Sequence, residues 1–177
     1  GRATTEGLAV YSITDDGKEA ILATLCCETD FVAKSDSFKE AAQEMLKYAK
    51  VCTADNGAQA LTETEINGKK FSEVITDTVS KTGEKMEVGN YVRYKINGPG
   101  TIVVYIHFNK KMGTMVKVET SDDAVAASNL VKTAANDIAM HITATKPLAL
   151  DSSGITAETI ESERKIYAEQ VKGKPEN

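Results

Sequence analysis

The sequence predicts an α+β fold made of two related subdomains, each an antiparallel sheet with helices packed on one face. Three observations point that way. Short apolar stretches of strand type are separated by tight turn residues, each pair of such stretches is followed by a segment of helical period, and the second half of the chain repeats the plan of the first. Short turns favour antiparallel pairing, because parallel neighbours need a long crossover.

Residues 7–13 alternate well enough for a strand, Thr14-Asp15-Asp16-Gly17 has turn chemistry, and residues 18–27 return as a second strand. The apolar run Ala20-Ile21-Leu22-Ala23-Thr24-Leu25-Cys26-Cys27 reads as buried. Phe38, Ala41, Ala42, Met45, Leu46 and Ala49 then recur at offsets of three, four, seven, eight and eleven, the signature of one helix face. That helix starts near Ser35 to Ser37 and frays by Cys52. Residues 53–61 are polar and small, which predicts a loop, and a shorter helix is expected within residues 64–81, ended by Gly83.

The repeat begins with an added leading strand over residues 88–96, joined through Asn97-Gly98-Pro99-Gly100 to a strand over 101–108. Val104-Tyr105-Ile106, the turn Asn109-Lys110-Lys111 and the strand 113–118 are the counterpart of Val10-Tyr11-Ser12, its turn and residues 20–25. Leu130, Val131, Ala134, Ile138 and Ile142 are expected on one helix face, with Asp122 or Asp123 in the first turn and Pro147 stopping the chain soon after. A last helix, capped by Thr156 with Glu158 in its first turn, is expected to run through Glu161, Glu163, Arg164, Lys165 and Gln170 to Gly173, its charges forming mostly a solvated face. The subdomain boundaries drawn from this are 1–82 and 83–177, the second including the C-terminal helix. The chain stops at Lys174-Pro175-Glu176-Asn177 without an obvious domain end, as a fragment of a longer protein would.

Composition narrows the function. The 177 residues are 41% hydrophobic and 27% charged, enough for one full core or two small ones, and the net charge is −5 with a pI near 5.2. No basic stripe is available to displace phosphate counterions, which argues against direct nucleic-acid binding. No apolar run approaches the ~20 residues that span a bilayer and no signal peptide opens the chain, so no membrane role is expected and the reading is a soluble, cytoplasmic protein.

Catalytic chemistry is not legible. Cys26, Cys27 and Cys52 are odd in number, two of them adjacent on a strand, which predicts small buried apolar residues rather than disulfides. No Cys-x-x-Cys occurs, and His107 and His141 lie far apart, so no metal and no cofactor are expected. A cysteine nucleophile would have to be Cys26 or Cys27 with one of those histidines, and nothing in the sequence joins them. Gly98-Pro99-Gly100 reads as a turn, not a phosphate loop, and Asp15-Asp16 and Asp122-Asp123 are turn or cap acids. The chain is therefore not expected to be an enzyme.

The stretch Thr29-Asp30-Phe31-Val32-Ala33-Lys34 stands out because an acid and a phenylalanine fall at a strand-to-helix junction, where a rigid scaffold can hold side chains out. The plainer reading is that Asp30 starts the helix and Phe31 packs on the core as a staple. Glu28-Thr29-Asp30-Phe31-Val32-Ala33-Lys34, Asp137-Ile138-Ala139-Met140-His141-Ile142 and Lys146-Pro147 together resemble the elongation factor Ts family of nucleotide-exchange factors. Gly83-Glu84-Lys85-Met86 is similar to that family's Gly-Glu-Asn-Ile, Tyr105-Ile106-His107 to its Tyr-x-His, and Met112-Gly113 to its Ile-Gly, while Glu161-Ser162-Glu163-Arg164 and Gly173-Lys174-Pro175 also fit. The resemblance runs nearly end to end.

The resemblance implies guanine-nucleotide exchange on elongation factor Tu. Asp30 and Phe31 take the place of the pair that pushes into the partner's nucleotide-binding domain beside its magnesium, with the flanking Thr29 and Val32 as further partner-binding residues. Met112, Gly113 and His141 match the positions that grip another domain of the partner. His141 has a plainer reading as a packed residue at the edge of its helix face, and Lys34 as a solvated lysine. The family's small N-terminal helical domain, with its Thr-Gly-Ala-Gly segment, and its C-terminal module have no counterpart in this sequence, so weak binding or slow exchange is expected. The rival is an interaction module of the same fold, a homodimer for instance, without exchange activity. Bacterial cytoplasm, organellar stroma and organellar matrix all fit the sequence.

Overall fold

A computed structural model describes residues 2–172. The first hairpin is built as the pattern requires. Strand β1 (Glu6–Ile13) pairs antiparallel with β2 (Glu19–Cys27), and Gly17, at φ 68°, turns the chain where a side chain would be strained. The Thr14 amide donates to the Glu19 carbonyl at 2.9 Å, and the Asp16 carboxylate accepts from the Thr14 hydroxyl at 2.6 Å and the Lys18 amide at 3.0 Å.

Strand β2 is buried on both sides, which is why its sequence reads as a continuous apolar run instead of alternating. Ile21, Ala23, Leu25 and Cys27 join the core under the helices, while Ala20 and Leu22 pack with Ile96, Ile102 and Met115 on the other face. Its second neighbour is β5 (Met86–Lys95), giving the sheet order β1-β2-β5. This corrects the expectation that the strand over 88–96 leads a separate second sheet. It closes the first sheet, and its outer edge is covered when the Arg93 amide donates to Asp55 at 2.6 Å and the Gly57 amide to Tyr91 at 3.1 Å.

Four helices follow on the first face. Helix α1 (Asp30–Ala33) is a single turn, and α2 (Asp36–Val51), capped by Ser35, sinks Phe38, Ala42, Met45 and Ala49 completely. Helix α3 (Ala58–Glu63) lies where a loop was expected, because the fully buried Leu61 supplies an anchor that the five polar and small residues around it do not advertise. A two-stranded ribbon, β3 (Glu65–Ile66) and β4 (Lys69–Lys70), turns at Asn67-Gly68 with both φ values positive. Helix α4 (Phe71–Thr82) ends at Gly83, left-handed at φ 73°, as its sequence predicts. Phe71 is fully buried and packs on the Tyr48 ring at 5.3 Å. Each of these large side chains contributes about 1.5–3 kcal/mol by leaving water.

The second hairpin, β6 (Gly100–Ile106) with β7 (Gly113–Glu119), packs on the opposite face of the first sheet through Ile102 and Met115. It is followed by a short helix α5 (Asp123–Ala127) and a long one, α6 (Asn129–Thr145), the order also seen in β1, β2, α1 and α2. The sequence misplaces the inner face of α6. Ala135, Ala139 and Thr143 are buried, whereas Leu130 is 80% and Ile138 50% exposed and Ala134 is exposed. Thr143 on this face meets β7, where the Thr143 and Thr114 hydroxyls hydrogen-bond at 2.7 Å.

These elements fall in one compact unit, Gly1–Ala144, and a second covers Thr145–Asn177. The second unit contains a 3-10 turn at Ser152–Gly154 and helix α7 (Ala157–Val171), whose Thr156 hydroxyl accepts from the Thr159 amide at 3.2 Å and whose residues are all at least partly solvated. Gly173 and the Gly173-Lys174-Pro175 motif lie outside the described residues. Among the described residues no helix is long and apolar enough to cross a membrane.

Candidate functional site: the turn that presents Phe31

The site starts where β2 ends. Cys27 is fully buried, and its thiol donates to the Thr29 carbonyl at 3.3 Å. Thr29 then leaves the sheet in an extended conformation and caps α1, its hydroxyl accepting from the Val32 amide at 3.4 Å. Within the turn the Ala33 amide donates to the Thr29 carbonyl and the Lys34 amide to the Asp30 carbonyl, both at 3.1 Å. Ser35 locks the far side: its hydroxyl donates to the Val32 carbonyl at 2.7 Å and accepts from the Phe38 amide at 3.4 Å, beginning α2.

Ala33 is buried and Val32 packs against the same core, so the turn has an inner face. Its outer face carries Asp30 and Phe31. Phe31 is 83% exposed, which removes the staple reading of that residue. Asp30 is half-exposed and pairs with Lys34 at 2.6 Å. The Lys34 ammonium, hydrogen-bonded to it, holds the Asp30 carboxyl below the usual carboxylate range, and the charge of Lys111 adds to this. Lys34 is thus paired and not simply solvated.

The internal repeat supplies a control for Phe31. In the second copy Asp122 caps α5 by accepting from the Val125 amide at 2.8 Å, and Asp123-Ala124-Val125-Ala126 occupies the places of Asp30-Phe31-Val32-Ala33. Ala126 is buried as Ala33 is. The same turn therefore forms with alanine where Phe31 stands, and the ring is not needed to build it.

Met112, Gly113 and His141 form the other group. Met112 is half-buried, and its carbonyl accepts from the His107 amide at 2.9 Å where β7 begins. Gly113 has a packing reason of its own: a Cβ there would come within 2.7 Å of Ile106 Cδ1 and 3.0 Å of Leu22 Cδ1. His141 is exposed on α6, not packed away. The Thr114–Thr143 bond brings the start of β7 and this part of α6 together. The turn before β7 also lies against β1, since the Ala9 amide donates to the Lys110 carbonyl at 2.7 Å and Lys111 pairs with Glu6.

Two features are not legible in the sequence. Phe108 is 86% exposed at the second hairpin tip, with the His107 ring 4.4 Å away. Glu84 grips the first turn from beneath: the Thr29 amide donates to one carboxylate oxygen at 3.0 Å and the Thr29 hydroxyl to the other at 2.5 Å. The thiols have no nucleophilic setting. Burial, with the charge of Glu84 assisting, pushes the Cys27 thiol up to about 11, and burial also raises Cys26. Cys52 is buried and Cys26 half-buried, and all three cysteines are unpaired by disulfides. Among the described residues no group of three or more His, Cys, Asp or Glu side chains could hold a metal ion.

A core that holds an exposed acid–aromatic pair on a doubly capped turn matches a known protein family in sequence. The family model described as elongation factor TS covers residues 28–177, beginning at the residue that opens this turn. The chain belongs to the elongation factor Ts family. It is 39% identical over 181 residues to elongation factor Ts of Thiobacillus denitrificans, covering 99% of this chain and 57% of that one. It is 37% identical over 179 residues to that of Azoarcus sp., covering 99% and 56%, and 35% identical over 179 residues to that of Clostridium acetobutylicum, covering 99% and 57%. The chain thus spans just over half the length of these elongation factor Ts relatives, so the likeness describes a part of them.

Proposed function

We propose that this chain is the nucleotide-exchange core that acts on elongation factor Tu, with Asp30 and Phe31 as its working tip. The observation that carries the proposal is the exposure of Phe31 on a turn whose other side is fixed in the core. A phenylalanine left 83% in water while its repeat counterpart is alanine is an unspent apolar surface. Inserted between elements of the partner's nucleotide-binding domain it buries that surface and displaces them. Asp30, kept anionic by Lys34, brings a carboxylate close to the partner's magnesium and phosphates, where a like charge loosens the nucleotide. Thr29 and Val32 hold the turn, while Met112, Gly113 and His141 contact a second domain of the partner and supply affinity. Exchange then follows from tighter binding to the empty partner than to its GDP form.

The test is release of a fluorescent GDP analogue from elongation factor Tu, with excess unlabelled GDP and the chain in large excess. The expected result is accelerated release that falls at least tenfold in Asp30→Ala and Phe31→Ala. A folded chain that gives no acceleration at any concentration would refute the proposal and leave an interaction module of the same fold.

A further inference from the structure

We infer that Glu84 is a positioning residue for the Asp30–Phe31 turn, an inference that rests on the exchange role proposed above. Phe31 itself has few contacts to aim it, so its direction is set by the turn that carries it, and that turn is oriented by its cap, Thr29. The Thr29 hydroxyl has one proton. The hydroxyl donates it to a Glu84 carboxylate oxygen at 2.5 Å, which leaves the hydroxyl's lone pairs to receive the Val32 amide. The other Glu84 oxygen takes the Thr29 amide at 3.0 Å, so one carboxylate fixes both the backbone and the side chain of the cap.

The clasp is reciprocal and its base is rigid. One residue on, the Lys85 amide donates to the Glu28 carboxylate at 2.7 Å, so segments 28–29 and 84–85 each supply an acid to the other's backbone. Glu84 leaves α4 through the left-handed Gly83, whose amide is bonded to Val79 at 2.8 Å. Met86 then enters β5 and pairs with Cys27, the last residue of β2. Glu84 is therefore anchored to the helix layer on one side and the sheet on the other. A turn held at its cap by two charge-assisted bonds keeps Phe31 in one direction before any partner arrives.

A residue that only stabilised the fold would behave differently from one that aims Phe31, and the two are separable. Glu84→Ala, Glu84→Gln, Phe31→Ala and the double variant Glu84→Ala/Phe31→Ala are compared in GDP release across a range of factor concentration. The expected result for Glu84→Ala is a maximal release rate about tenfold lower with the half-saturating concentration little changed. Glu84→Gln, which keeps one acceptor, falls between, and the double variant is no slower than Phe31→Ala. An unchanged maximal rate, or losses that multiply in the double variant, would overturn the inference. Amide hydrogen exchange of residues 29–34 is followed in parallel, with α2 as internal reference. Glu84→Ala is expected to speed exchange there about tenfold and leave α2 unchanged. If the unaltered chain does not accelerate release at all, it is the exchange role that fails, and hydrogen exchange alone then decides the positioning: equal protection in both forms would overturn it.

Discussion

Arg93 is the one arginine that the fold buries among the described residues, and its loss should be costly. It stands on β5 and reaches across to the C-terminus of α2. Its guanidinium donates to the carbonyls of Ala49 at 2.5 Å, Lys50 at 3.2 Å and Cys52 at 3.0 Å, while its Nε faces Glu19 at 3.3 Å. These carbonyls include ones the helix end leaves without partners, and a cation is favoured there. Arg93→Met keeps the stem packing and removes the charge. Lys50 is exposed, so water replaces that bond, while the Tyr91 hydroxyl, 3.3 Å from the Ala49 carbonyl, shares its one proton with the Ala54 carbonyl at 2.9 Å. What remains is the orphaned Cys52 carbonyl, at ~1–3 kcal/mol, and the lost charged bond to Ala49, at ~1.5–3 kcal/mol, offset in part by relief of burying a cation. We expect a net loss of about 3 kcal/mol, read from the urea midpoint by far-UV circular dichroism. Arg93→Lys, whose ammonium cannot span three carbonyls, should recover about half or less. A loss under about 1 kcal/mol for Arg93→Met would refute this account of how β5 holds α2.

Phe31→Ala should leave the fold nearly untouched. With 83% of the residue exposed, only about a sixth of a side-chain surface of roughly 200 Å² is covered, worth at most ~0.8 kcal/mol, and alanine's better helix propensity returns about 0.5 kcal/mol. A thermal midpoint within about 2 °C of the unaltered chain is expected, and a fall beyond about 5 °C would mean that the ring is structural. Stability should also decline on both sides of neutrality. Cys27, raised from 9.0 to about 11, and Tyr91, raised from 10.0 to about 12, keep their protons in the folded chain after the unfolded chain has lost them, so stability falls as pH rises from about 9. Asp16, Asp77, Asp122 and Glu87 are lowered by hydrogen bonds, so their contribution is present above their unfolded values of 3.8 and 4.5 and is lost as pH falls below them. A thermal midpoint that rises between pH 9 and 11 would contradict the alkaline part.

What the sequence reveals and what it hides follow from where each side chain is satisfied. The β1–β2 hairpin and α2 are legible because Gly17 and the Phe38 to Ala49 stripe are local signals with one solution. The same reading fails for α6, where Ala135 and Ala139 are buried while the larger Leu130 and Ile138 are exposed, so side-chain size does not mark the inner face. The partner of β5 is hidden because alternation tells which face of a strand is buried, not which strand lies beside it. Helix α3 has Leu61 as its one fully buried side chain, with the small Ala58 and Ala60 packed beside it, and the Asn67-Gly68 ribbon is too short to show alternation, so neither announces itself. At the site, the Thr29-Asp30-Phe31 junction is visible from its position between a strand and a helix. Its support is not, because the clasp joins residues 55 positions apart in the chain.

A pre-aimed Phe31 that favours the empty partner must show itself as a difference between two affinities. Its most direct test is the dissociation constant of this chain for nucleotide-free elongation factor Tu and for the GDP-bound form, measured side by side by titration calorimetry. Binding to the empty form is expected to be at least a hundredfold tighter, with most of that ratio lost in Phe31→Ala. Equal affinity for the two forms would contradict it, since a ligand that does not distinguish two states cannot shift the balance between them.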